Sequence, residues 1–401
     1  MTLDIDRSVK PRIKHFNAEF DTRKHLSNAA RQAEERQYSD YLIVDVDAHH
    51  YESDSWAEIF KYVEDPVIRQ RLEAAWGRSG RTAIVPVPVG DQDVAGRITR
   101  SQERLREKVD DEDVHKDVTL VKRYMESMGI DYSIIFPTPM LNLSLHPQVE
   151  VEVALARAYA YWISERILSV DRSIKTMLYL PFNDPEASLR LIEDFAGKPG
   201  IVGFMVTSIR YRPVHHDQYM KVYAALQEKG MPLGFHAVYN WQERVMEQLN
   251  RFLSVHALGF PFYNMIHLTN WIINGLPERF PALKIIWIES GLAWIPYLMD
   301  RLDHEYMMRS SEAPLLKRLP SDYMREMYYT TQPMERTGSM EALELTFKRI
   351  NAESQLMYSS DYPHWDFDLP SVIYDLPFLT ESAKRKILGE NARREFLLDE
   401  T

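Results

Sequence analysis

The chain has 401 residues, of which 45% are hydrophobic and 27% are charged, and its 48 basic and 59 acidic side chains give a formal net charge of −11. These fractions exclude a wholly disordered, collagenous or coiled-coil protein. The absence of cysteine excludes disulfides, thiolate nucleophiles and cysteine-bound metal centres. The negative balance predicts that nucleic acid is not a partner, because proteins that bind nucleic acid usually present a basic face.

The first forty residues are polar and mixed in charge, and their apolar positions are too sparse for a core element. We therefore expect residues 1–40 to form an N-terminal arm, either solvated or wrapped around a partner subunit. Residues 1–16 lack the apolar core of a secretory signal, and no run of about 18 apolar residues occurs in the chain. The expected protein is cytoplasmic and has no membrane partner.

Ordered structure is predicted to begin at Leu42–Val46, an apolar run that leads into acidic residues. A helical, charge-rich stretch follows, and it is too long for an ordinary connection, so residues 50–125 are predicted to be a helical insertion. Seven further runs rich in β-branched and aromatic residues are predicted strands, at Tyr132–Pro137, Ile174–Pro181, Ile201–Thr207, Pro232–His236, Lys284–Glu289, Met327–Thr331 and Leu356–Asp361. Helical periods separate most of these strands, at Val151–Leu168, Pro185–Ala196, Tyr219–Lys229, Leu292–Met307 and Met340–Ile350.

The alternation of eight predicted strands with helices determines the expected fold class. Buried parallel strands read as short, continuous apolar runs, as these do. Eight βα units over about 350 residues predict an α/β protein with a (β/α)8 TIM barrel that occupies residues 41–401. The alternative, an open doubly wound sheet, lacks its usual glycine-rich phosphate loop after the first strand.

Acidic and imidazole side chains stand at the ends of several predicted strands, where a barrel carries its functional groups. Asp47 and His49 follow the first strand and, being two residues apart in an extended segment, share one face. Further side chains of this kind end the fifth, sixth and eighth strands, at His236, Glu289 and Asp361. Because buried carboxylates are costly without a counter-charge, and these groups bind zinc, manganese and iron, the recurrence predicts a divalent metal site.

Five motifs occur in the order typical of one enzyme family. They are Asp-x-His at 47–49, the histidine at 236, Leu-Pro-Glu-Arg-Phe-Pro-Ala-Leu-Lys-Ile (276–285) leading to Glu-Ser-Gly-Leu-Ala-Trp-Ile-Pro (289–296), Ser-Asp-Tyr-Pro-His (360–364) and Ile-Leu-Gly-Glu-Asn-Ala-Arg-Arg-Glu-Phe (387–396). Over residues 41–398 the chain resembles the amidohydrolase-related branch of the amidohydrolase superfamily, which is similar to aminocarboxymuconate semialdehyde decarboxylase and the hydroxybenzoate decarboxylases. The resemblance implies a metal-dependent (β/α)8 barrel.

The resemblance also implies roles for individual residues. Asp47 and His49 stand where the first-strand ligand pair of the family sits, and His236 stands where the fifth-strand ligand sits. Asp361 stands at the eighth-strand aspartate, which is a ligand or a proton-transfer group. The decarboxylases of the family usually have a histidine at the end of the sixth strand, where this chain has Glu289.

The number of ions is open at this point. Asp47, Glu289 and Asp361 bring about three negative charges, so a site with one divalent ion would be net negative. It would repel a carboxylate substrate by roughly 4 kcal/mol per close pair at an effective dielectric constant near 20. We therefore hypothesise a two-ion site in which His267, Glu289 and Glu52 hold the second ion.

The expected function is the hydrolysis or decarboxylation of a small, aromatic or unsaturated carboxylic acid. Metal-activated water would act in hydrolysis, with Asp361 transferring the proton and Glu289 as the second catalytic candidate. Arg210, which follows the fourth strand, could clamp the substrate carboxylate. The alternatives are a non-haem diiron oxygenase on the same barrel and a non-catalytic binding barrel. A homodimer is expected from the resemblance and the N-terminal arm.

Overall fold

Eight strands run parallel, and each is hydrogen-bonded to the next in chain order. The computed structural model describes residues 22–79, 84–85, 109, 113–209, 212–239, 245–336 and 339–398. The strands are β1 Val44–His50, β2 Tyr132–Pro137, β3 Ile174–Tyr179, β4 Ile201–Thr207, β5 Leu233–His236, β6 Ile285–Ile288, β7 Tyr328–Thr330 and β8 Leu356–Met357. Most strand residues are buried, which explains why the strands read as unbroken apolar runs. The predicted (β/α)8 TIM barrel is confirmed.

The barrel closes between β8 and β1 through the chain that follows β8. The backbone N–H of Val46 donates to the carbonyl oxygen of Tyr358 at 3.0 Å, and the N–H of His49 donates to the carbonyl oxygen of Tyr362 at 2.7 Å. β8 itself ends at Met357 rather than at the predicted Asp361, and the residues after it contact β1 through these backbone bonds instead of through a regular strand. This seam brings the end of β8 directly against the end of β1.

Helices surround the barrel and alternate with the strands. Their bounds are α1 Thr22–Glu35, α2 Trp56–Ile59, α3 Pro66–Ser79, α4 Lys116–Met128, α5 Val149–Ile163, α6 Pro185–Phe195, α7 Met220–Glu228, α8 Phe252–Ile273, α9 Leu276–Arg279, α10 Trp294–Arg309, α11 Pro320–Met324, α12 Met340–Arg349, α13 Ala352–Gln355, α14 Ser371–Tyr374, α15 Glu381–Arg385 and α16 Asn391–Phe396. Within the described ranges, none of these helices combines the length and the apolarity needed to cross a bilayer.

The N-terminal region differs from the expected arm in one respect. Helix α1 packs against α4, and its Leu26 and Ala29 are buried. Two apolar side chains one helical turn apart are enough to pack an otherwise polar helix against its neighbour. A sequence with so few apolar residues was therefore not predicted to contain a core element. Residues 1–21 lie outside the described part of the chain. Helices α2 and α3 fall within the predicted insertion of residues 50–125, and α4 begins within it and ends at Met128. The middle of this insertion is largely outside the described part of the chain.

The C-terminal motif of residues 387–396 packs against β1 and β8. A π-helical turn at Lys386–Glu390 joins α15 to α16, and the backbone N–H of Tyr358 donates to the carbonyl oxygen of Ile387 at 2.9 Å. A Cβ atom at Gly389 would collide with the carbonyl oxygen of Leu42. The glycine of the Ile-Leu-Gly-Glu sequence is therefore required by close approach of two backbones.

Candidate metal centre

The end of β1 supplies two of the predicted ligands to one point. Asp47 and His49 alternate with Ala48, so both face the barrel interior, and both side chains are buried. The Oδ1 atom of Asp47 lies 3.3 Å from Nε2 of His49. The prediction that these two side chains share a face is confirmed by this contact.

His236, the last residue of β5, reaches the same carboxylate. Its Nε2 atom lies 3.3 Å from Oδ1 of Asp47, and its Nδ1 atom lies 2.9 Å from the carbonyl oxygen of Ala237. A carbonyl oxygen can only accept, so Nδ1 donates its hydrogen to Ala237. This contact orients the ring so that Nε2 faces Asp47, and Nε2 is the atom through which His236 would bind a metal ion.

Asp361 joins the group from the turn after β8. Its Oδ1 atom lies 3.2 Å from Nε2 of His49, and its backbone has a φ of 62°, in the left-handed region that few residues other than glycine adopt. Burial alone would raise the pKa of Asp361, but the imidazoles of His364 and His49 outweigh burial and lower this pKa below its ordinary value. Asp361 is therefore an ionised, buried carboxylate.

Glu289 approaches the group from the opposite side, directly after β6. Its backbone φ of 56° is also left-handed, and its N–H donates to Oγ1 of Thr330 at 3.0 Å. The Oε2 atom of Glu289 lies 3.5 Å from Nδ1 of His236. Non-glycine residues in this conformation cost about 1–3 kcal/mol each and concentrate at functional sites. Two of the three candidate carboxylates, Glu289 and Asp361, have such a backbone.

The geometry of the group fits a divalent cation. Two ligand atoms bound at about 2.1 Å to one ion are about 3.0–3.4 Å apart, and the contacts from Asp47 to His49, from Asp47 to His236 and from His49 to Asp361 are 3.2–3.3 Å. In the described part of the chain, Nε2 of His49, Oδ2 of Asp47 and Oδ2 of Asp361 are buried without a hydrogen-bond partner. Such atoms are costly to bury unless they coordinate an ion. The residues present therefore fit a metal ion.

The charges of the group also favour a cation. Burial alone would lower the pKa of His49, but the carboxylates of Asp361 and Asp47 raise it to about 10. The same buried negative charge that holds a proton on His49 would attract a divalent ion. Two overlapping sets of potential ligands are present, namely Asp47, His49, His236 and Glu289 in one set and His49, Asp361 and His364 in the other.

His364 is a site residue that the sequence analysis did not single out. Its Nδ1 atom lies 2.6 Å from Oδ1 of Asp361, and its ring stacks on that of His49 with centroids 4.2 Å apart. Its Nε2 atom lies 3.3 Å from Oγ1 of Thr138. The available signal was its position three residues after Asp361 in the same short motif.

Three other predicted residues are not in this group. Glu52 lies in a short 3₁₀ helix after β1, where its Oε1 accepts the N–H of Met140 at 2.8 Å. His267 lies within α8, and its Nε2 makes a short contact with the carbonyl oxygen of Ser208. The structure therefore does not bring Glu52 and His267 together with Glu289 as ligands of a second ion. The predicted substrate clamp Arg210 lies outside the described residues.

The sequence matches the amidohydrolase family over residues 39–398. A γ-resorcylate decarboxylase from a Polaromonas species is 24% identical over 294 residues, and one from Rhizobium radiobacter is 27% identical over 299 residues. Each alignment covers 69% of this chain and 86% of the relative. These comparisons give no support to the expected alternative of a diiron oxygenase.

Two solved structures have the same fold. A dihydroxybenzoic acid decarboxylase from Polaromonas, with bound manganese and the inhibitor 2-nitroresorcinol, is 18% identical with a TM-score of 0.62 and covers 90% of this chain and 98% of its own. A 5-carboxyvanillate decarboxylase from Sphingomonas paucimobilis is 19% identical with a TM-score of 0.62 and covers 89% and 99%. At these identities the likeness establishes the barrel. Because the family match spans nearly the whole chain, this protein belongs to the amidohydrolase family and is an enzyme of that superfamily.

Proposed function

We propose that the protein is a metal-dependent decarboxylase of a small aromatic carboxylic acid. The observation that carries the proposal is the buried group of Asp47, His49 and His236, in which Oδ1 of Asp47 lies 3.3 Å from Nε2 of each histidine, with Asp361 joined to it through its 3.2 Å contact with His49. The decarboxylases among its relatives and structural neighbours support this reaction class, and the manganese in one neighbour supports Mn²⁺ as the ion to test first. Zinc and iron remain candidates on the same ligand chemistry.

Different residues would bind the metal ion and transfer the proton. Asp47, His49, His236 and Asp361 would hold the ion, which when bound would supply positive charge for the anionic oxygens of the substrate. Decarboxylation breaks the bond between the ring and the carboxyl carbon, leaves the electron pair on the ring carbon and releases CO2. A proton must then reach that carbon. Glu289 would deliver it from Oε2 and would recover a proton from water afterwards.

The position of Glu289 supports this role. It lies at the carboxyl end of β6, only 5% of its surface is exposed, and its strained backbone is fixed by Thr330. His364 would orient Asp361 through the 2.6 Å contact and so keep the carboxylate aimed at the ion. The ring of Phe136, with its centroid 5.0 Å from that of His236, would exclude water from the base of the site.

Hydrolysis is the second candidate reaction. A carboxylate at the end of β6, in place of the histidine usual in the family's decarboxylases, favours it, because Glu289 could then accept a proton from an attacking water. The two reactions differ in their products. Decarboxylation releases CO2, whereas hydrolysis gives an acid together with an alcohol or amine.

The proposed activity can be tested with the Mn²⁺-loaded protein and a panel of hydroxybenzoates that includes 2,6-dihydroxybenzoate and 5-carboxyvanillate. We expect CO2 release without consumption of dioxygen, and loss of this release in the His236→Ala variant. Hydrolysis of aryl esters or amides without CO2 release would favour the second candidate. The absence of both reactions would contradict the proposal.

We also propose that the protein is a homodimer, and the exposed face of α8 supports this. Residues 252–273 contain no Asp, Glu, Lys or Arg, yet Leu253 is 77% exposed and Leu258 is 52% exposed. The combination of an uncharged helix with exposed leucines is the feature that supports an interface here. Sedimentation velocity should show a dimer that Leu253→Lys weakens and that Leu345→Lys, at an exposed leucine on α12, leaves intact. The cytoplasmic location stays a prediction.

A further inference from the structure

We propose that Asp45 is a positioning residue that fixes the carboxylate of Asp361 by holding the residues on both sides of it. The inference rests on the metal site proposed above, because Asp361 is one of its ligands. Asp45 lies on β1, two residues before Asp47, and its side chain is fully buried. It is not a member of either set of potential metal ligands.

The contacts of Asp45 lead to a single neighbouring residue across the seam between β1 and β8. Its Oδ1 atom accepts the backbone N–H of Ser360 at 2.9 Å, and its Oδ2 atom accepts the hydroxyl hydrogen of Ser360. Its Oδ1 atom also accepts the N–H of Asp47 at 3.2 Å. One buried carboxylate thus binds β1 to the residue immediately before Asp361.

Ser360 extends this connection past Asp361. Its Oγ atom accepts the backbone N–H of Tyr362 at 3.0 Å, while its own hydrogen points to Asp45. The residues on either side of Asp361 are therefore tied to one another and to β1. Asp361 between them has a φ of 62°, a backbone that persists only where the surroundings determine it strongly.

A carboxylate is the group that this arrangement requires. Oδ1 of Asp45 accepts two backbone hydrogens and Oδ2 faces the hydroxyl of Ser360, so both oxygens of the side chain are used. An asparagine would keep one acceptor but would direct an NH2 group at Ser360, so the hydroxyl of Ser360 would lose its acceptor. The Asp45→Asn change should therefore move the carboxylate of Asp361. It does not alter the side chains of Asp47, His49 and His236.

The test measures Mn²⁺ affinity by titrating the metal-free protein and following free Mn²⁺ by electron paramagnetic resonance. Because partners behind the ligands typically contribute 10–100-fold to metal affinity, we expect Asp45→Asn and Ser360→Ala each to weaken binding by about 10–100-fold. Ser360→Thr retains the hydroxyl and should restore affinity to within about threefold of the wild type. The spectrum of bound Mn²⁺ should also change in Asp45→Asn, because the geometry of one ligand changes.

The matched control is Glu152→Gln, which alters another fully buried carboxylate. Glu152 accepts hydrogen bonds from Tyr179 at 2.7 Å and Asn183 at 2.9 Å, and it is absent from both sets of potential metal ligands. We expect this variant to bind Mn²⁺ with the wild-type affinity.

The outcomes separate the two proposals. If the wild type binds no Mn²⁺, the proposed metal site itself is overturned. If the wild type binds Mn²⁺ and both Asp45→Asn and Ser360→Ala match it, only the role of Asp45 is overturned. An equal loss in Glu152→Gln would likewise overturn that role, because a general loss of stability would then explain the effect. Ser360→Ala removes one hydroxyl only, so it covers the case in which Asp45→Asn does not fold.

Discussion

Asp361 donates its backbone N–H to the carbonyl oxygen of Asp47 at 2.7 Å, which joins two candidate metal ligands that are more than three hundred residues apart in sequence. This bond lies in the seam that closes the barrel, so the contacts that close the fold also position the site. Because these are backbone hydrogen bonds that need no ion, we expect the ligands to be held in place before an ion binds.

Replacement of His236 by alanine should reduce the metal content of the purified protein. The variant loses the Nε2 atom that the contact with Ala237 directs toward Asp47 and the ligand group. Even changes behind the ligands cost about 10–100-fold in metal affinity, so removal of a ligand should cost more than about 100-fold. Elemental analysis by mass spectrometry measures the effect. His304→Ala, at an exposed histidine of α10, is the control and should retain the wild-type content.

Replacement of Glu289 by glutamine should lower turnover and leave the metal in place. Glutamine has nearly the same shape but cannot deliver a proton, and general acid–base groups typically contribute about 10²–10⁴-fold to the rate. Steady-state CO2 release and metal content should be measured on the same preparation. If turnover stays within about threefold of the wild type, Glu289 is not the proton donor. A loss of metal would instead indicate that Glu289 is a ligand.

Replacement of His364 by glutamine should lower turnover by about 10–100-fold, because the side chain that orients Asp361 is altered. The metal affinity should fall less than in His236→Ala, since no proposed ligand is removed. Thr138→Val, which removes the hydroxyl next to Nε2 of His364, should reproduce part of the effect. Wild-type activity in both variants would show that the contact between His364 and Asp361 is not used.

Replacement of Glu52 by glutamine should change how stability depends on pH. Burial raises the pKa of Glu52 from 4.5 to about 8, so the folded protein holds a proton that the unfolded chain releases between these values. Stability contributed by this group is therefore present at low pH and falls by about 1.4 kcal/mol per pH unit as pH rises through that range. Glutamine carries no charge and removes this loss.

The measurement for Glu52 is urea unfolding of both proteins at pH 5 and at pH 8. The free energy of unfolding of Glu52→Gln minus that of the wild type should be larger at pH 8 than at pH 5. An equal difference in stability at the two pH values would contradict the prediction. Metal content should be unchanged, because Oε1 of Glu52 is bound to the N–H of Met140 and the side chain lies outside the ligand group.

The sequence alone was enough to predict the strands that are buried on both faces. β2 and β4 begin and end at the predicted residues, since their β-branched and aromatic runs leave no alternative register. β8 was predicted too long, because the chain leaves the regular strand at Tyr358 although its apolar run continues through that residue. The left-handed backbones of Glu289 and Asp361 could not be predicted either, since only a few per cent of non-glycine residues adopt that region.

The position of a site residue could be predicted from the sequence where the residue lies in a strand, because the strand determines the direction of its side chain. It could not be predicted where the residue lies in a turn. Asp47, His49 and His236 lie within strands, so alternation places them in the barrel interior. His364 reaches the site through a turn, and its Nε2 contacts Thr138, which follows the end of β2. Glu52 was predicted as a ligand, but the chain turns into a 3₁₀ helix after His50 and directs this side chain toward Met140.

The central claim is that Asp47, His49, His236 and Asp361 bind a divalent cation at the mouth of the barrel. Elemental analysis of the native protein, purified without added metal or chelator, tests it most directly. We predict at least one divalent transition-metal ion per chain, and its loss in His236→Ala. A protein that contains no such ion and takes up none from added Mn²⁺ would contradict the account.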